Sequence, residues 1–224
     1  MVMEKSEIRS FRRGEAARFG IATALLALAF LAFMLFGARG AHADLITNGN
    51  FANPGVGGNF NIYSSIPGWT ASADGIEIDN STILGLACHD ADCQSMEVNG
   101  NTFDTITQSV TGLVIGNTYM LSWAYGDRSG SGPQRLDVLL GGHLVTSDYG
   151  TGSSTWTSNS FLITATATTE NLTFQAINVG GSAAVGNEVD DVSLVPTAAP
   201  VPEPASLLLF GMGLAGLGWV RRRA

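Results

Sequence analysis

Between Asp44 and Pro204 this sequence contains no lysine, and its only basic residues are Arg128 and Arg135. Those two face 16 acidic residues, a formal charge of −14. A surface of that sign repels phosphate backbones, which excludes a nucleic-acid partner. Histidine is equally sparse: His42, His89 and His143 are the three in the chain. No G-x-S-x-G stretch occurs, so a nucleophile elbow is excluded. Amphipathic helical periodicity is missing from the same region, which removes any βαβ architecture. Cysteine is limited to Cys88 and Cys93, in CHDADC. A structural zinc centre draws four ligands from two separated pairs. With no second pair present, a disulfide is the expected use of the two thiols in an exported chain.

What is present at the N-terminus is a sorting pattern. Lys5, Arg9, Arg12, Arg13 and Arg18 precede an apolar run from Phe19 to Gly37, and Ala41-His42-Ala43 follows. Basic, apolar and small-residue segments in that order make residues 1–43 a secretory signal peptide. Cleavage is expected after Ala43, with Ala41 and Ala43 as the small residues and Asp44 as the mature start. The apolar run is also about as long as a membrane span, so an uncleaved anchor is the alternative.

From residue 44 to 196 the chain reads as an all-β, antiparallel β-sandwich. In NTYMLSWAY, Tyr119, Leu121, Trp123 and Tyr125 fall on one face and Met120, Ser122 and Ala124 on the other. Leu136, Val138 and Leu140 alternate in RLDVLL, and Gly141-Gly142 forms a hairpin turn into HLV. Phe161, Ile163 and Ala165 share a phase, as do Leu172, Phe174 and Ala176. In the last strand, NEVDDVSLV, Asp190, Val192 and Leu194 are expected on one face. The scattered acids are expected to coat the surface.

The series LITNGNF, IPGW, ITQSVTGLVIGNTYMLSW and VDDVSLV resembles secreted jelly-roll domains of the galactose-binding-like class. It is similar to the carbohydrate-binding modules of xylanases and to plant cell-wall proteins with the same order of motifs. The resemblance implies two antiparallel sheets with the first and last strands adjacent. It also implies a structural calcium between a carboxylate after the NG-F turn and an aspartate of the DD pair. Here Ala52 stands where relatives carry glutamate, leaving Asn48, Asn50, Asp190 and Asp191 as the oxygen ligands for calcium. The other use for Asp190 is to accept hydrogen bonds from the first turn.

Sugars dock on exposed aromatic faces, with amides and carboxylates reading hydroxyls. Tyr63, Tyr149 and Trp156 lie outside the regular core pattern and are the candidate glycan contacts, whereas Trp69 of IPGW is assigned to the core. Catalysis is not expected: Asp190 and Asp191, as neighbours on a strand, face opposite sides and cannot flank one bond. The expected work is binding or organising extracellular polysaccharide, the alternatives being a structural surface protein or a secreted hydrolase.

The C-terminal VPEPASLLLFGMGLAGLGWVRRRA follows a Pro/Ala linker at 197–201. Its apolar run, 205–220, has 16 residues, near the lower limit for a spanning helix. The arginines beyond it hold that end in the cytoplasm. Gly211 to Gly216 matches G-x-G-x-x-G, but no strand precedes it, so no dinucleotide site is implied. Pro202, Glu203 and Pro204, the apolar run and Arg221, Arg222 and Arg223 together resemble the PEP-CTERM sorting signal of Gram-negative bacteria. The resemblance implies a transient membrane anchor, processing by an exosortase as partner, and delivery to the cell surface or extracellular matrix.

Overall fold

The computed structural model describes residues 43–197. The signal peptide to Gly40 and its Ala41, the linker from residue 198 and the whole C-terminal segment lie outside the described residues. Among the described residues twelve strands form: β1 (Phe60–Tyr63), β2 (Ser65–Ile66), β3 (Trp69–Ala71), β4 (Ile76–Asn80), β5 (Gln94–Glu97), β6 (Thr105–Thr111), β7 (Thr118–Asp127), β8 (Gln134–Leu140), β9 (His143–Gly150), β10 (Trp156–Thr164), β11 (Thr169–Ile177) and β12 (Asn187–Pro196). One 3-10 turn, Ser81–Leu84, follows β4, capped by the Asn80 side chain accepting from the Thr82 amide. Among the described residues no helix is long and apolar enough to cross a membrane.

All pairings are antiparallel, in two six-stranded sheets ordered β1-β4-β5-β12-β7-β10 and β2-β3-β6-β11-β8-β9. This is the expected β-sandwich. The inward faces are the ones that alternation predicts. Tyr119, Leu121, Trp123 and Tyr125 of β7 are buried against Leu136, Val138 and Leu140 of β8 and Leu172 and Phe174 of β11. An aromatic chain links the sheets: Phe51 to Trp69 at 5.6 Å, Trp69 to Phe174 at 5.9 Å, Phe174 to Trp123 at 6.2 Å. Trp69 is a core residue, 1% exposed, and its indole N–H donates to the carbonyl of Thr47.

That last bond explains the NGNF turn. Phe51 is fully buried, and Asn48 takes a left-handed φ of 54° to turn the chain toward Trp69. Gly49 lies so close to β12 that a Cβ there would collide with the Val192 carbonyl, while its own carbonyl accepts from the Val192 amide at 2.9 Å. Leu45 also donates to Leu194 O at 3.0 Å. The N-terminal stretch thus runs against the last strand, although the first regular strand, β1, is an edge of the same sheet, separated from β12 by β4 and β5.

One expectation of phase is corrected. Asp190 pairs with Ala124, and Ser193 with Ser122, so β12 carries a bulge between them. The inserted residue reverses alternation. Val189 points inward before the bulge and Leu194 after it, while Asp190 faces away from the core, opposite outward-facing Ala124. Asp191 itself has φ 48°.

Candidate functional site

The outward face of the sheet containing β4, β5 and β12 is acidic and nevertheless buried. Ile76 and Ile78 of β4, Met96 of β5 and Val189 of β12 point into the core. Alternation therefore sends Glu77, Asp79, Glu97 and Glu188 to the other face. Register sets these residues side by side: Ile62 opposite Glu77, Glu77 opposite Glu97, Glu97 opposite Glu188, Glu188 opposite Gly126, Gly126 opposite Trp156. Strands lie ~4.8 Å apart, so this row spans ~24 Å. The four acids are 0–5% exposed, which overturns the expectation that they coat the surface. Like charges directly opposite one another are unfavourable, and burial makes them more so.

The cluster manages that charge unequally. Glu97 is ion-paired to Arg128 at 2.7 Å and accepts from the Gly186 amide at 2.7 Å. Glu188 accepts from the Ser95 hydroxyl at 2.9 Å through one oxygen, and its other oxygen has no partner among the described residues. Neither oxygen of Asp79 has one. Burial, with the negative charge of Glu97 second, pushes the Glu77 carboxyl up to about 7. Burial and then Glu77 push Asp79 up to about 8. Burial also holds Glu188 well above the usual carboxylate range. Above Glu77 and Asp79 opens a cleft of about 450 Å³, walled by Phe60, Ile62, Ile83 and Arg128. Phe60 is 51% exposed.

A second cluster sits over the β12 bulge. The disulfide between Cys88 and Cys93 forms as expected. It closes a loop in which the Asp90 carboxylate accepts from the amides of Asp92 and Cys93. The loop places His89 Nδ1 2.8 Å from Asp191 and 3.9 Å from Asp190. The bulge thus brings two neighbouring carboxylates to one imidazole, which an unbroken strand would keep on opposite faces. Asp190 is fully buried with one oxygen unpartnered, and burial pushes its carboxyl up to about 9. Asn48 and Asn50, the other two candidate calcium ligands, flank Gly49 in the turn that packs on Val192 of β12. The Asn48 side chain accepts from and donates to the backbone of Asn53, and the Asn50 amide donates to Asp92.

The three candidate glycan contacts lie in three places. Tyr63 packs against the core. Tyr149, 69% exposed, is on the outer face of the other sheet, opposite Arg135. Trp156 ends the acidic row: its ring rests on Gly126, where a Cβ would lie 3.0 Å from the ring, and its N–H donates to Ala87 O at 2.7 Å. His89 approaches it at 5.4 Å between ring centroids. Sequence reasoning missed Phe60 and the buried acids. The available signal was acids alternating with aliphatic residues in IEID, MEV and EVD.

A family model described as the PEP-CTERM protein-sorting motif matches residues 200–223. The chain carries that motif. The match covers Pro202, Glu203, Pro204 and Arg221 to Arg223, a motif that indicates export and membrane-anchored sorting. The chain is also similar to Halomucin of Haloquadratum walsbyi, 28% identical over 197 residues, covering 84% of this chain and 2% of that protein. It thus spans a very small part of that relative. Among solved structures it is similar to the C-terminal family 22 carbohydrate binding module of Clostridium thermocellum Xyn10B, with TM-score 0.49, 11% identity, 73% of this chain and 99% of the other. The CBM22-1 xylan-binding domain from Paenibacillus barcinonensis Xyn10C is similar at TM-score 0.45 and 14% identity, covering 73% and 100%. These likenesses are ones of fold.

Proposed function

We propose that this protein is an exported, non-catalytic surface protein whose acidic sheet face binds extracellular polysaccharide. The observation that carries the reading is the cleft over Glu77 and Asp79, with exposed Phe60 on its wall and Arg128 at its side. An exposed aromatic face, with Asn101 and Arg128 on the cleft wall to hydrogen-bond hydroxyl groups, supplies elements of a sugar site. Trp156, with its N–H anchored on Ala87 O, extends the platform along the same face. Hydrolysis fits the geometry poorly. A glycosidase needs two carboxylates flanking an accessible bond, whereas Glu77 and Glu97 lie side by side on one buried floor and both Glu97 oxygens are engaged.

Delivery is the task of the C-terminal motif. Exosortase cleaves the chain near Pro202-Glu203-Pro204, and the apolar run and arginines are removed. Mass spectrometry of the surface-exported protein tests this: a C-terminus before Ala205 is expected, and intact Arg221 to Arg223 would overturn it. For binding, retention on immobilised polysaccharides is measured for the wild type and for Phe60→Ala, Trp156→Ala and Tyr149→Ala. The first two substitutions are expected to weaken retention at least tenfold and the third to leave it unchanged. Equal retention of all four proteins, or none by folded wild type on any polysaccharide, would sink the reading.

A further inference from the structure

The floor of the cleft has a second capacity, independent of whether sugar binds above it. Glu77, Asp79 and Glu97 each offer one carboxylate oxygen, and the three oxygens lie within 4.8 Å of one another. Two bonds of ~2.3–2.6 Å to one Ca²⁺ span that separation. All three side chains are buried, and Asp79 is 0% exposed with neither oxygen hydrogen-bonded among the described residues. Burial disfavours the charged form of these groups, so their oxygens are held either by protons or by a cation, and one cation would serve all three. Arg128 is ion-paired to Glu97. With Glu188 beside them, four buried carboxyl groups face one guanidinium, so the cluster carries excess negative charge when ionised and a divalent cation would offset it.

The donor set selects the ion. Every donor is a hard carboxylate oxygen, with no imidazole or thiolate, which favours calcium over zinc or copper. The bonds Glu97 already makes leave room, since each carboxylate oxygen has two lone pairs. The loop after β5 is shaped to the cluster: a Cβ at Gly100 would collide with the Glu77 carboxylate. We propose that Glu77, Asp79 and Glu97 form a calcium site built on β4 and β5, distinct from the His89, Asp190 and Asp191 cluster over the bulge.

The test uses the full chain purified in mild detergent, stripped with chelator and dialysed against CaCl₂. Bound calcium is then counted by elemental analysis for the wild type, Asp79→Asn, Glu77→Gln and Asp191→Asn, each checked for folding by near-ultraviolet circular dichroism. One tightly held calcium per chain is expected in wild type and Asp191→Asn. Asp79→Asn is expected to lose it, and Glu77→Gln serves in its place if that variant does not fold. Three results overturn the proposal: folded wild type holding no calcium, Asp79→Asn or its folded substitute retaining it, or Asp191→Asn losing it.

Discussion

Burial of Glu77 should make the domain less stable as pH rises, and Glu77→Gln removes that contribution. Glu77 is 5% exposed, and its carboxyl is raised from 4.5 to about 7 by burial and by Glu97. Between those values the folded state holds a proton that the unfolded chain has released. The favourable term is therefore complete below pH 4.5 and lost as pH climbs through 7. At ~1.36 kcal/mol per pKa unit the loss is about 3 kcal/mol. For a domain of this size that corresponds to roughly 6–12 °C in Tm. Glutamine keeps the shape and has nothing to titrate. In urea unfolding followed by tryptophan fluorescence, with excess chelator to keep cations out, wild type should lose about 3 kcal/mol more than Glu77→Gln between pH 4.5 and 8.5. Parallel profiles for the two proteins, or a wild type that gains stability relative to the variant as pH rises, would refute the reasoning.

Other substitutions probe the frame around the site. Trp69→Ala empties the centre of the aromatic chain and should cost about 3–5 kcal/mol by denaturant unfolding. Trp69→Phe, which loses the bond to Thr47 but keeps most of the packing, should cost about 1–2 kcal/mol. Gly49→Ala drives a Cβ into the Val192 carbonyl and should destabilise by about 1–3 kcal/mol, with accelerated amide exchange at Val192. Replacing Cys88 and Cys93 together by serine opens a loop with a sequence separation of 5. A loss of about 2 kcal/mol is expected, and chemical shifts of the His89 ring should move toward those of a free imidazole.

The amino-acid sequence by itself determined the strand faces, the disulfide and the sorting motif. A period-two pattern states which residues of one strand turn inward, as Tyr119, Leu121, Trp123 and Tyr125 do, because alternation is a property of the strand alone. Two cysteines in a lysine-free exported segment pair with each other for want of another partner, and the C-terminal motif is contiguous. Only the tertiary structure decided the site. Glu77, Glu97 and Glu188 come from three strands, and their meeting depends on lateral register, which no strand's own pattern encodes. The bulge at Asp190 and Asp191 was hidden for the same reason. An extra residue reverses every later side chain, and its presence depends on which residue of β7 each residue of β12 meets. Alternation placed each acid on the outer face; pairing across the sheet made them neighbours, and the overhanging loops buried them.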